Sequence, residues 1–235
     1  FRSGASADAV VVAGVGKTAE EIRYALEQGI HSFNCESEAE IHVISSIAHQ
    51  MGKRASIAIR VNPDVDAVTH PYISTGLREH KFGIDIAYVE TVYRTAASLP
   101  GIVPTGVSCH IGSQLLDTKP VLEAAGKVLA LIARLRSAGL PIEHLDLGGG
   151  IGVPYRASDQ AVSIPPLLQV LKNTLAGHNL QLLLEPGRSI VAEAGVLLTR
   201  VIAVKQNGAP TFVIVDAAMN DLIRPALYQA HHEIR

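Results

Sequence analysis

The sequence predicts an α/β protein. The fold expected is a (β/α)8 TIM-type barrel, incomplete at about six βα units, followed by the start of a carboxyl-terminal antiparallel β domain. Three observations carry this. Short β-branched or leucine-rich runs alternate six times with segments of helical periodicity, the pattern of parallel strands joined by crossover helices. Those runs are continuously apolar, as strands covered on both faces require. After Gly195 the rhythm changes to two β-rich runs split by Asn207-Gly208, a hairpin signal. A closed barrel of this kind has eight strands over typically ~250 residues, so six units fit one that lacks two. The expected division is 1–194 for the partial barrel and 195–235 for the start of the β domain.

The elements follow in order. Residues 9–13 (AVVVA) are a β-branched run closed by Gly14, the first strand. Thr18 caps the next helix, with Glu20 and Glu21 in its first turn. Ile22, Ala25 and Leu26 form its stripe and Gly29 its stop. Residues 31–35 (HSFNC) form the second strand. Ser37 opens another helix with Glu40 three residues on, a capping box, and Ile41, Ile44, Ile47 and Ala48 face inward before Gly52. Residues 55–61 (ASIAIRV) form the third strand. The polar stretch from Asn62 to about Ile84 is long for a loop in a compact domain, which favours a functional role. A helix is expected over 86–99, the fourth strand over 105–111 with His110 at its end, and a long amphipathic helix over 119–138. The fifth strand spans 144–147, a helix 165–176, and the sixth strand 180–184. That last strand reads as fully buried, because Leu182, Leu183 and Leu184 are consecutive. Residues 196–206 and 211–215 are the arms of the hairpin.

Composition excludes several classes. The 235 residues carry a net charge of −2 and no basic stripe, which argues against nucleic acid. No apolar run approaches the ~20 residues of a membrane span, and the first ten residues lack the apolar core of a signal peptide. Cys35 and Cys109 lie far apart without metal-ligand spacing, which points to a reducing, cytoplasmic setting and to no metal site.

Two glycine motifs invite nucleotide readings and fail them. Gly14-Val15-Gly16-Lys17-Thr18 has Val11 where a P-loop needs its first glycine, so it is a βα turn with a helix cap. Gly148-Gly149-Gly150-Ile151-Gly152 follows a strand, but Val153 stands where a dinucleotide fingerprint needs its third glycine. Such a loop still lets backbone N–H groups approach an anion. His110 is followed by Gly112 and Ser113, which suit a ring and a phosphate contact. Glu185 and Arg188 flank Pro186-Gly187 at the end of the sixth strand, where parallel α/β proteins place their chemistry. A carboxylate there can hold a proton on a ring nitrogen, and a guanidinium can grip a carboxylate or phosphate. Arg224, just before Pro225, belongs to a turn or helix start and, with Tyr228, makes a candidate carboxylate anchor. Together these pieces suit a small anionic cofactor with a phosphate and a ring nitrogen, a description pyridoxal phosphate fits.

The blocks RVNPDVDAVTHPYISTGLREHKFGID (60–85), CHIGSQ (109–114), LDLGGGIGVPY (145–155), EPGRSIVAEAG (185–195) and VDAAMNDLIRPALYQAHHEI (215–234) resemble the diaminopimelate decarboxylases. These enzymes belong to the fold-type III, alanine-racemase-like class that uses pyridoxal 5'-phosphate. The resemblance implies that His110 stacks on the pyridoxal ring. It implies that Ser113 and the Gly149-Gly150 backbone hold the phosphate, with Glu185, Pro186, Gly187 and Arg188 completing the cofactor site. Glu185 would keep the pyridine nitrogen protonated; alanine racemases use an Arg there, so a Glu favours the decarboxylase branch. Arg188, Arg224 and Tyr228 would bind carboxylates of meso-diaminopimelate, which the family converts to L-lysine and CO2 in the last step of lysine biosynthesis. A cytoplasmic homodimer with shared active sites is implied for the full-length protein.

Two departures shape the expectation. The family's Schiff-base lysine lies in a Tyr-Ala-x-Lys-Ala-Asn type segment, and none of the seven lysines here does. The family's Cys-Glu-Ser-Gly-type motif does not occur before Arg235. The chain is therefore expected to be a fragment, inactive as written. The alternatives are a related decarboxylase of arginine, ornithine or carboxynorspermidine, and a non-catalytic truncated homologue.

Overall fold

A computed structural model describes residues 4–65 and 82–235. Six parallel strands form one sheet in the order β1 (Val11–Val12), β2 (Ser32–Cys35), β3 (Ala55–Asn62), β5 (Ile102–Ser108), β6 (His144–Gly149) and β7 (Gln181–Glu185). The short β4 (Ile84–Asp85) also pairs with β3. Helices α1 (Ala19–Gln28), α2 (Glu38–Gln50), α3 (Val89–Ser98), α4 (Lys119–Ser137) and α5 (Ile164–Leu175) are the crossovers. The sheet curls. Asn34 on β2 donates to Asp146 on β6 at 2.8 Å, although two strands lie between them; a flat sheet would hold those strands about 14 Å apart. This is the incomplete barrel the alternation predicts. Beyond it, β8 (Val201–Gln206) and β9 (Thr211–Val215) pair antiparallel across Asn207-Gly208, and the short helices α6 (Gly187–Val191) and α7 (Arg224–Tyr228) complete the elements.

Local chemistry accounts for the ends. Thr18 and Glu21 make a reciprocal capping box on α1. At α2 only half of the expected box forms. Ser37 accepts from the Glu40 N–H at 3.2 Å, but the Glu40 carboxylate turns to the Glu36 N–H at 2.6 Å and to Lys17 at 2.7 Å, because a buried ammonium is the stronger partner. The core lies between the sheet and α1 to α5. Tyr93 of α3 shows how it is pinned: its buried hydroxyl donates to the Gly106 carbonyl at 2.6 Å and accepts the Ile59 N–H, tying α3 to β3 and β5 at once.

Four expectations are corrected. The fourth strand starts at Ile102 rather than 105: Pro104 pairs with Ile57 and the ladder resumes with Ala58 opposite Gly106, so Thr105 is an extra residue on β5 beside the proline. It stops at Ser108, so His110 stands in the following loop rather than at the strand's end. The sixth expected strand is not fully buried: Leu182, Leu183 and Leu184 are half-buried, because β7 is the last strand of the sheet and only β6 covers its side. The first hairpin arm begins at Val201 rather than 196. Most of the polar stretch expected between Asn62 and Ile84 lies outside the described residues.

Candidate active site

The chemistry-bearing residues converge at the carboxyl end of the sheet. Glu36 follows β2, Arg60 lies near the end of β3, and His110 stands two residues past β5. Gly148 and Gly149 end β6, and Glu185 is the last residue of β7. Parallel pairing brings all these ends to one side, which is why residues up to 149 positions apart along the chain share one mouth.

Three glycines line that mouth, each pressed against a different neighbour. A Cβ on Gly148 would lie 2.6 Å from the Cys109 carbonyl oxygen, one on Gly149 1.9 Å from the Glu185 carbonyl oxygen, and one on Gly150 2.0 Å from the Gly112 carbonyl oxygen. Gly148 and Gly150 also have φ of +66° and +87°, a region L side chains avoid. The loop is laced to the segment after β5: Leu115 N–H donates to the Gly150 carbonyl at 2.8 Å, and Gly152 N–H to the Leu115 carbonyl at 2.9 Å. The Gly149 N–H donates to His110 Nδ1 at 3.2 Å. Ser113 stands half-buried on the segment after β5.

His110 is held neutral. Its pKa is lowered to about 4 by burial and then by the Arg60 guanidinium. Accepting at Nδ1 requires the same neutral form. Asp146, buried on β6, accepts from Asn34 Nδ2 and from the Gly148 N–H, each at 2.8 Å. Glu185 stands at the open edge of β7, with its carboxyl hydrogen bonded to Asp146. Desolvation first, then the Asp146 charge and that hydrogen bond, raise its pKa to about 7, against an opposing pull from Arg60. Arg60 in turn is paired to Glu36 at 2.8 Å and lies 5.0 Å from the Phe82 ring centroid. Glu36 also accepts the Gly83 N–H at 2.8 Å, so residues 82–83 are fastened to the rim.

A second group adjoins the first. Gln114 uses both ends of its amide on Val153 and also accepts from Arg188 at 2.9 Å. Arg188 belongs to α6, behind Pro186 and Gly187. Its guanidinium carbon is 6.0 Å from the Tyr155 ring centroid, and that of Arg224 is 5.2 Å from the same ring. Arg224 also donates to the Tyr155 hydroxyl at 3.2 Å and meets His232 Nε2 at 3.2 Å. Tyr228 is half-buried one turn along the same face of α7.

The structure thus gathers the sequence candidates into a glycine cradle with His110, Ser113 and Glu185, and a neighbouring pair of guanidiniums. The first can hold a phosphate and a flat nitrogen ring; the second can hold a carboxylate. Sequence reading missed Asp146, Asn34, Arg60, Tyr155 and His232 as members. Asp146 carried one signal, an acid inside an otherwise apolar strand; the others carried none. The Gly14-to-Thr18 turn is structural, since Lys17 Nζ is spent on the Gly14 and Asn34 carbonyls and on Glu40, each at 2.7 Å. Among the described residues no group of three or more His, Cys, Asp or Glu could hold a metal ion, and no helix is long and apolar enough to cross a membrane.

Comparison with known proteins gives the family of the chain. Residues 1–192 match the family of pyridoxal-dependent decarboxylases through its pyridoxal binding domain. The chain is 53% identical to a diaminopimelate decarboxylase of Pseudomonas fluorescens, over 99% of this chain and 56% of that protein. Its fold superposes on the crystal structure of diaminopimelate decarboxylase from Helicobacter pylori complexed with L-lysine, with a TM-score of 0.93 and 44% identity, over 100% of this chain and 59% of that one. The corresponding enzyme from M. jannaschii, also in complex with L-lysine, superposes with a TM-score of 0.89 at 38% identity, over 99% of this chain and 55% of that one. The chain therefore spans just over half the length of the relatives it matches.

Proposed function

Because the chain belongs to the pyridoxal-dependent decarboxylases, we propose that the whole protein decarboxylates meso-diaminopimelate to L-lysine and CO2, with this chain supplying most of the cofactor cradle. The observation that carries the reading is the meeting of Glu185, His110 and a side-chain-free glycine ridge at the mouth of the sheet. The residues fit pyridoxal phosphate. A phosphate needs room free of an intruding Cβ, which Gly149 and Gly150 supply, and donors, for which the Ser113 hydroxyl and Arg188 are the candidates. When bound, the cofactor supplies an electron sink for the carbanion left by loss of CO2.

The chain's own residues do the rest. Glu185 would be the partner of the ring nitrogen and would keep a proton shared with it, and the neighbouring Asp146 charge makes loss of that proton costly. His110, uncharged, presents a flat face and adds no repulsion to a cationic ring. Arg188 and Arg224, with Tyr228, bind carboxylate and so orient a substrate that has an amino-acid group at each end. The relatives' identity as diaminopimelate decarboxylases supports this substrate over arginine or ornithine, which lack the second carboxylate. A homodimer and a cytoplasmic site of action belong to the same proposal.

The test is release of CO2 and L-lysine from meso-diaminopimelate by the whole protein with added pyridoxal phosphate. No turnover overturns the assignment. Arg224→Ala should reduce turnover of diaminopimelate far more than any turnover of a substrate without the second carboxylate; an equal loss overturns the anchor.

A further inference from the structure

The ring of Tyr155 stands between two cations that no hydrogen bond joins to each other. Arg224 lies 5.2 Å from its centroid and Arg188 6.0 Å. The hydroxyl accepts from Arg224 Nη1 at 3.2 Å, and His232 meets the ring edge-on at 5.8 Å while contacting the same Arg224 nitrogen. Arg188 donates to the Gln114 side chain at 2.9 Å. Tyr155 itself is anchored: one Asp159 carboxylate oxygen accepts both the Tyr155 N–H at 2.9 Å and the Arg156 N–H at 3.0 Å. Two guanidiniums left to themselves repel and swing outward; an aromatic face with a negative quadrupole holds both near it. The barrel loop after β6 thereby sets the distance between an arginine of α6 and one of α7.

Resting on the function proposed above, we propose that Tyr155 is a positioning residue that sets the spacing of Arg188 and Arg224 for a substrate carboxylate, with Asp159 fixing Tyr155 in turn. It touches no reacting atom. Its loss therefore acts on substrate affinity and leaves the cofactor and the chemical step in place. Ring and hydroxyl have separate parts. The ring spaces both arginines; the hydroxyl orients only Arg224.

The test uses the whole holoenzyme with three variants. In Tyr155→Leu the KM for meso-diaminopimelate should rise about tenfold, with kcat within about twofold and the bound-cofactor absorbance unchanged. Tyr155→Phe, which keeps the ring, should restore KM to within about threefold of the parent. Asp159→Asn, which leaves the ring in place but loosens its backbone, should fall between the two and serves if Tyr155→Leu does not fold. The proposal is overturned if Tyr155→Leu leaves KM unchanged, if kcat and cofactor retention fall along with a rise in KM, or if Phe is no better than Leu. An unmutated holoenzyme that binds pyridoxal phosphate and ignores diaminopimelate sinks the functional reading. Isothermal titration of the same variants with L-lysine, read without turnover, then decides the spacing role: equal affinity in Tyr155→Leu and parent overturns it.

Discussion

The backbone N–H of Gly149 donates to Nδ1 of His110 at 3.2 Å, which places the imidazole's own proton on Nε2. One bond thus joins the glycine ridge to the residue expected to stack on the cofactor, and it fixes that residue's tautomer. The ridge can approach so closely only because it has no side chains.

Gly150→Ala should therefore cost both stability and cofactor. The new methyl would sit 2.0 Å from the Gly112 carbonyl oxygen at a φ of +87°, so the loop must move. Backbone strain of this kind costs about 1–3 kcal/mol. Urea denaturation should show that loss, and pyridoxal phosphate affinity in the whole enzyme should fall with it. An unchanged affinity would remove Gly150 from the cradle.

Glu185→Gln separates the proton from the carboxyl. The Glu185 pKa is raised from 4.5 to about 7, so the folded state binds a proton that the unfolded state releases. Its stabilising contribution is complete below about pH 4.5 and is lost as pH rises through 7. Gln, permanently neutral, should abolish that loss, so the variant gains on the parent in denaturation midpoints as pH rises from 4.5 to 8. Catalysis in the whole enzyme should drop by about a hundredfold or more, the scale of a lost electrostatic partner.

The opposite sign applies to two histidines. His110 and His144 are both lowered to about 4, by burial first, then by Arg60 for His110 and by His31 for His144. Their neutral forms contribute stability that is complete above 6.5 and lost as pH falls through 4. His144 lies against Gly106, with its Nε2 buried and unpartnered. His144→Leu should flatten part of the acid limb of a stability–pH curve. An unaltered limb would show that His144 titrates alike in the folded and unfolded states.

Lys17 and Glu40 form a buried pair at 2.7 Å, with side chains only 3% and 10% exposed. Lys17→Met leaves that carboxylate without its cation and should destabilise by about 3–5 kcal/mol, while the double change with Glu40→Gln should recover much of it. Its three acceptors also make Lys17 a poor amine nucleophile. Borohydride trapping with pyridoxal phosphate, followed by peptide mapping, should leave Lys17 unlabelled.

Much of the fold was legible because its signals are local. Helix caps at Thr18 and Ser37, the glycine stops, and the Asn207-Gly208 hairpin depend on residues within a turn of one another, and the helices and the turn formed there, although the first hairpin arm is shorter than expected. Errors arose where a neighbour decided. The second half of the Ser37 box yielded to Lys17, twenty residues earlier in the chain, and the burial of Leu182 to Leu184 depended on what lay beside β7.

The site divides the same way. Its parts stand in the chain itself: glycines without side chains, a glutamate and an arginine after a strand, and a histidine before Gly112 and Ser113. Those parts were readable because residue type limits chemistry. Only the tertiary structure decided who meets whom. Asn34 finds Asp146 across 112 positions, Arg188 finds Gln114 across 74, and Arg224 finds Tyr155 across 69. Such contacts leave no periodic trace, because they are made by the curl of the sheet bringing strand ends together and not by any repeat along the chain.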